Sequence, residues 1–142
     1  MKVNSRFLSV LVLVLVLLPG LGGCAPKPAG LSNQQVANVT ENILKSIDTN
    51  NYAGFIHDFS PQMKAAFPQT EFSKLQTMLQ TASGKFSYMD VPTISNTQGY
   101  AVYRFPAKYA NETVYVTITF VVGGQEVEGL FFDSAALRKA SQ

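Results

Sequence analysis

The chain has 142 residues, with 11 basic and 9 acidic side chains, one histidine, one cysteine and no tryptophan, against ten phenylalanines and six tyrosines. A net charge of +2 without a basic stripe cannot neutralise a row of phosphates, so nucleic acid is excluded as a partner. A lone thiol excludes an internal disulfide, and one histidine with scattered carboxylates offers no metal-ligand set.

Residues 1–23 read as a leader. Lys2 and Arg6 make a positive start, Phe7 to Leu18 is apolar apart from Ser9, and Pro19-Gly20 breaks any helix just before Leu21-Gly22-Gly23-Cys24. The apolar run is well short of the ~20 residues that cross ~30 Å of hydrocarbon. It fits a removable secretory segment better than a permanent span. The stretch ending at Cys24 resembles the lipobox of prokaryotic lipoproteins. That resemblance implies cleavage before Cys24, lipid attachment to its sulfur with acyl chains such as palmitate, and an extracytoplasmic protein anchored to the membrane. The membrane would be the outer face of the plasma membrane, or the outer membrane of a two-membrane bacterium. At ~0.8 kcal/mol per buried methylene, two or three acyl chains hold a protein stably on a bilayer.

Two of the eleven basic residues, Lys2 and Arg6, belong to the leader, which leaves nine bases against nine acids. The mature chain is therefore formally neutral, without a polybasic cluster for anionic lipid. Residues 24–31 form a proline-stiffened lipidated tether, and Ala25 to Gly30 reaches roughly 20 Å at ~3.1 Å per residue. Residues 32–142 are long enough for a single domain with a substantial core.

Within that domain Ser32 and Gln35 have capping-box spacing. Val36, Val39, Ile43 and Ile47, with Leu44 beside them, predict a helix of four to five turns. Asn38, Thr40, Glu41, Asn42 and Lys45 occupy its opposite side, and Asp48 to Asn51 ends it. A short helix follows, with Tyr52, Phe55, Ile56 and Phe59 on one face. Ser60-Pro61 reads as an N-cap followed by proline at the first helical position, starting a brief helix through Phe67. Thr70 opens a further helix carrying Phe72, Leu75, Met78 and Leu79, closed by Gly84 as a left-handed cap.

At Lys85 the period becomes alternating. Phe86, Tyr88 and Val91 mark a strand interrupted by Pro92, which points to an edge or a bend. Asn96 to Gly99 is a turn, and Tyr100 to Tyr109 a second strand with Ala101, Tyr103, Phe105 and Ala107 on one face. Val114, Val116, Ile118, Phe120 and Val122 alternate along a third. Gly123-Gly124 turns into a fourth, Gln125 to Phe132, where Gly129 suggests a bulge. Ser134 to Lys139 makes a last helical turn. The expected class is α+β: N-terminal helices packed on a curved antiparallel sheet of about four strands.

This order resembles the nuclear-transport-factor-2-like (SnoaL-like, ketosteroid-isomerase-like, cystatin-like) cone. The likeness is carried by Asp48 to Phe55, Phe59 to Lys64, Gly84-Lys85-Phe86 and the Val114–Val122 hairpin. It implies a pocket between the long first helix and the concave sheet face, and it leaves chemistry open, since such folds host isomerases, dehydratases, hydrolases, carriers and protein-binding modules.

Tyr52, Tyr88 and Tyr103 are the candidate pocket tyrosines, because a buried hydroxyl needs a partner. His57 lies beside Asp58 and is the candidate general base of an enzyme reading. Adjacent helical residues point about 100° apart, so Asp58 is expected not to orient it, and His57 is expected to face solvent. Glu126 and Glu128 alternate with Val127 and face water, Glu112 sits in a turn, and Arg104 is expected on the exposed sheet face. No phosphate loop, nucleophile elbow or zinc motif occurs, and no cofactor is implied.

The expected function is a membrane-anchored, non-enzymatic binding module for a small apolar ligand or an envelope protein. The alternative is an isomerase- or hydrolase-like enzyme using an inward histidine or carboxylate. A homodimer through the outer sheet strip of Tyr115, Thr117, Thr119 and Val121 is a third expectation.

Overall fold

The computed structural model describes residues 30–140. The expected leader, the expected lipidation site at Cys24 and most of the expected tether lie outside the described residues. Four helices come first: α1 (Asn33–Asp48), α2 (Tyr52–Phe55), α3 (Pro61–Ala66) and α4 (Gln69–Ala82). Five strands follow: β1 (Phe86–Met89), β2 (Thr93–Thr97), β3 (Tyr100–Tyr109), β4 (Thr113–Val121) and β5 (Val127–Asp133). A last helix, α5 (Ala135–Ala140), ends the described chain.

The first helix starts as its residues require. The Ser32 hydroxyl accepts the Gln35 N–H at 3.3 Å, and the Gln35 side chain accepts the Ser32 N–H at 2.9 Å. Two otherwise unpaired donors are thus satisfied reciprocally. Val36, Ile43, Leu44 and Ile47 are buried beneath it. Thr40, expected on the wet side, is buried as well. Its hydroxyl donates to the Val36 carbonyl at 2.8 Å, which satisfies the one polar group that burial would have stranded.

Ser60 caps α3, accepting the Met63 N–H at 3.3 Å ahead of Pro61. α4 begins one residue before the expected Thr70, because the Pro68 carbonyl already accepts the Glu71 and Phe72 N–H groups at 2.9 and 3.1 Å. Gly84 ends that helix at φ +82°, its N–H on the Leu79 carbonyl at 3.0 Å.

The sheet is open and antiparallel, in the order β1-β3-β4-β5, with β2 also on β3. The expected first strand is two, β1 and β2, on either side of Pro92, so the sheet has five. β1 pairs with the Ala107–Tyr109 end of β3, and β2 with Tyr100 to Arg104. The break between them has a cause on the facing strand. The Pro106 carbonyl accepts the Asp90 N–H at 2.9 Å, so the ring nitrogen of Pro106, which has no hydrogen to donate, points into the same gap. Pro92 and Pro106 together leave that stretch without a continuous ladder.

Two extra residues bend the strands. Ser87 is unpaired between Phe86–Tyr109 and Tyr88–Lys108, and Glu128 is unpaired between Phe120–Val127 and Thr119–Gly129. Such bulges increase local twist. The helices close over the inner sheet face, where Phe105, Ala107, Val114, Val116, Ile118 and Phe120 are buried. At its first residue the free edge of β5 is met by a parallel bridge between Phe59 and Val127. There the Ser60 N–H donates to the Val127 carbonyl at 3.0 Å, and the Val127 N–H to the Asp58 carbonyl at 2.8 Å.

Candidate functional site

The space between the helices and the sheet is occupied by side chains. Phe55 packs on Phe59 and Phe72 with centroids 4.9 Å apart, and on Phe67 at 5.5 Å. Phe55, Phe59, Phe72 and Phe105 are essentially inaccessible. Edge-to-face rings at these distances pack as a core does.

The three candidate tyrosines are not brought together. Tyr52 is half-buried, its ring on Phe72 at 5.5 Å and its hydroxyl donating to the Phe67 carbonyl at 2.9 Å. It ties the α3–α4 connection to α2 and is fully engaged. Tyr88, expected inward, is 56 % exposed. The Ser87 bulge is the reason, because one unpaired residue reverses every following side chain. Tyr88 therefore pairs with Lys108 on the outer face, and Met89 opposite buried Ala107 takes the inward place.

Tyr103 alone borders a cavity. Its ring is buried edge-on to Phe120 at 6.2 Å, and its hydroxyl reaches the Asn33 side chain at 3.4 Å. Leu31, Val36, Ala101, Phe120 and Gly123 are among the residues that line with it a space of about 180 Å³. Pockets for drug-sized ligands run from about 300 Å³ upward, so this one admits a small group at most.

His57 faces solvent, its side chain 74 % exposed. Contrary to expectation, Asp58 does orient it, with Nδ1 and Oδ1 2.8 Å apart. Helix α2 ends at Phe55, so the fixed 100° step between neighbours no longer applies. The pair lies away from the Tyr103 cavity and lines a shallow, solvent-open groove with Asn38, Val39, Asn42 and Gly54.

Two polar features escaped the sequence. The half-buried Glu112 carboxylate accepts the Ser83 and Ser134 hydroxyls, each at 2.7 Å, and the Ala136 N–H at 3.3 Å. Burial alone would raise its pKa, but the three donors outweigh it and hold the carboxyl below its ordinary value. This acid clamps the end of α4, the β3–β4 turn and the start of α5. Tyr109 is buried against Phe86 at 5.7 Å, and its hydroxyl has no partner among the described residues. Burial, with the Asp48 charge added to it, pushes its pKa well above that of a free tyrosine. Asp48 itself accepts the Phe86 N–H at 3.1 Å.

The outer sheet face is the remaining surface with organised chemistry. The Arg104 guanidinium lies over the Tyr115 ring at 4.1 Å and 3.7 Å from Asp133, which also holds Arg138 at 2.9 Å. Arg104 is exposed, as expected. Phe131, opposite Thr117 on that face, is 64 % exposed. Glu126 is exposed, while Glu128 is half-buried and accepts the Ser60 hydroxyl at 3.0 Å. Among the described residues no group of His, Cys, Asp and Glu could hold a metal ion, and no helix is long and apolar enough to cross a membrane.

Residues 40–130, from the middle of α1 into β5, match a family described as protein of unknown function (DUF3887). No curated protein and no solved structure matches.

Proposed function

We propose that this chain, which belongs to the DUF3887 family, is a lipid-anchored extracytoplasmic binding module that engages an envelope protein through the outer face of its sheet. The reading of the fold that goes with it is a nuclear-transport-factor-2-like domain whose interior is filled. One observation carries the proposal: the interior is packed with Phe55, Phe59, Phe72 and Phe105, while Tyr115 and Phe131 stand in solvent on the opposite face. A space of about 180 Å³ beside Tyr103 favours a protein partner over an apolar small molecule. The solvent position of His57 favours binding over turnover. The anchor rests on Cys24 and the leader that precedes it.

The test is a photocrosslinking residue at Phe131 of the full chain in intact host cells, with the same residue at Lys64 as control. A discrete adduct with an envelope protein from position 131 alone is the expected result. An adduct of twice the chain's mass makes the partner a second copy. A small molecule retained in native mass spectra, with no adduct, moves the site to the Tyr103 cavity and overturns the proposal.

A further inference from the structure

The end of the domain at which the tether arrives is built unlike the rest of its surface. Gly30 lies so close to the β4–β5 turn that a Cβ placed on it would stand 3.0 Å from the Gly123 Cα. The same turn is joined to the β2–β3 turn, where the Val122 N–H donates to the Gly99 carbonyl at 2.9 Å. Tyr100 and Val121 face each other across the ladder between those turns. Tether, two hairpin tips and the mouth of the Tyr103 cavity therefore share one end of the molecule.

That end carries exposed apolar side chains beside the polar, uncharged Asn96-Thr97-Gln98 turn, with Glu126 at its border. Tyr100, Val121 and Val122 are 43, 42 and 48 % exposed. Residues 30–40, 93–103 and 119–125 contain no Asp, Glu, Lys or Arg. Every charge of the folded part lies on other segments, in a chain where acids and bases are otherwise interspersed. An uncharged tip of mixed apolar and amide or hydroxyl side chains suits a surface of zwitterionic headgroups above hydrocarbon, where tyrosine rings partition well.

We infer that this tip rests on the bilayer, with Tyr100, Val121 and Val122 entering the headgroup region and the sheet standing away from it. The inference rests on the lipid-anchor reading of Cys24. Five residues separate Cys24 from Gly30, so the acylated sulfur holds the tip within roughly 20 Å of the lipid. At that tether length the local concentration of surface is high, and a weak apolar contact is occupied most of the time. Because no basic residue takes part, contact is independent of anionic lipid and of salt, unlike docking by polybasic segments.

The chain has no tryptophan, so one introduced indole reports a single place. Val122→Trp and Tyr88→Trp are made in the full chain, processed by a host with lipoprotein machinery. Each is reconstituted into phosphatidylcholine vesicles with brominated acyl chains. Position 88 pairs with Lys108, eight residues along β3 from Tyr100, which is about 27 Å away. Circular dichroism checks that both variants fold, and mass spectrometry reads the lipid on Cys24. The expected result is a blue-shifted, bromine-quenched emission at 122 and a solvent-like, unquenched one at 88, unchanged by salt or by added phosphatidylglycerol. Lipidated protein with no quenching at 122 overturns the docked tip and leaves the anchor standing. A blue shift at 122 without quenching means that protein, such as a second copy, covers the tip, and also overturns it. An unmodified Cys24 removes the anchor, and the docking falls with it.

Discussion

The Ser134 hydroxyl donates to the Glu112 carboxylate at 2.7 Å and accepts the Leu137 N–H at 3.1 Å. The acid in one turn thus orients the cap of the last helix. Glu112→Gln keeps the size but loses the charge, and one of its three donors then meets an NH2 group. It is expected to destabilise the domain by about 1–2 kcal/mol at neutral pH, a figure set low because the group is only half-buried.

Acid should erase that difference. The folded carboxyl lies below its ordinary value of 4.5, so its stabilisation is complete above that value and is lost as pH falls through the folded one. Urea midpoints measured down a pH series should converge for wild type and Glu112→Gln. A gap that stays constant into strong acid would show that the carboxylate charge is not what binds the three segments.

Tyr109 makes the opposite case. Its hydroxyl is buried without a partner among the described residues, so Tyr109→Phe removes a desolvated polar group and keeps the ring on Phe86. The variant is expected to be unchanged or more stable by up to about 1 kcal/mol, read as a higher urea midpoint at constant slope. In an alkaline absorbance titration Tyr109 should ionise above the ordinary tyrosine value, and Tyr109→Phe should remove that late step.

Gly84→Ala should be costly. The position has φ +82°, and the new Cβ would stand 3.0 Å from the Ala110 Cβ. Backbone strain alone costs about 1–2 kcal/mol, or a fall in Tm of roughly 5 °C or more for a domain of this size. Gly99→Ala has a similar φ of +85° with nothing within 4 Å, and should lose less.

Phe131→Ser should leave stability within about 0.5 kcal/mol, because the side chain is mostly in solvent. It should nevertheless abolish the envelope adduct when the crosslinker is moved to Tyr115. Thermal unfolding and crosslinking of the same preparation check both halves.

Legibility from the sequence followed periodicity and local chemistry. In β4, Val114, Val116, Ile118 and Phe120 are all buried, because one covered face stamps a period of two on the residues. The Ser32–Gln35 cap and the Gly84 stop were legible for a similar reason: each is decided by neighbours in the chain. The Ser87 bulge left no such mark. A skipped pairing changes no residue type, yet it carried Tyr88 to the other face. Glu112 was hidden by distance, since its partners Ser83 and Ser134 are 29 and 22 residues away. Tyr103 lies on a well-marked strand and points inward as its alternation implies, but the size of the space beside it depends on how Leu31, Val36 and Phe120 from three separate segments close around it. The broken edge row follows from Pro92 and Pro106, which stand on the two arms of one hairpin and remove two ladder donors.

The bridge between Phe59 and Val127 has a consequence for how the molecule is made. A ribosome delivers residues 58–60 long before it delivers β5. When that last strand is made, the backbone that bridges its first residue is already present. The chain thus completes its sheet beside a segment that stands ready at the start of β5.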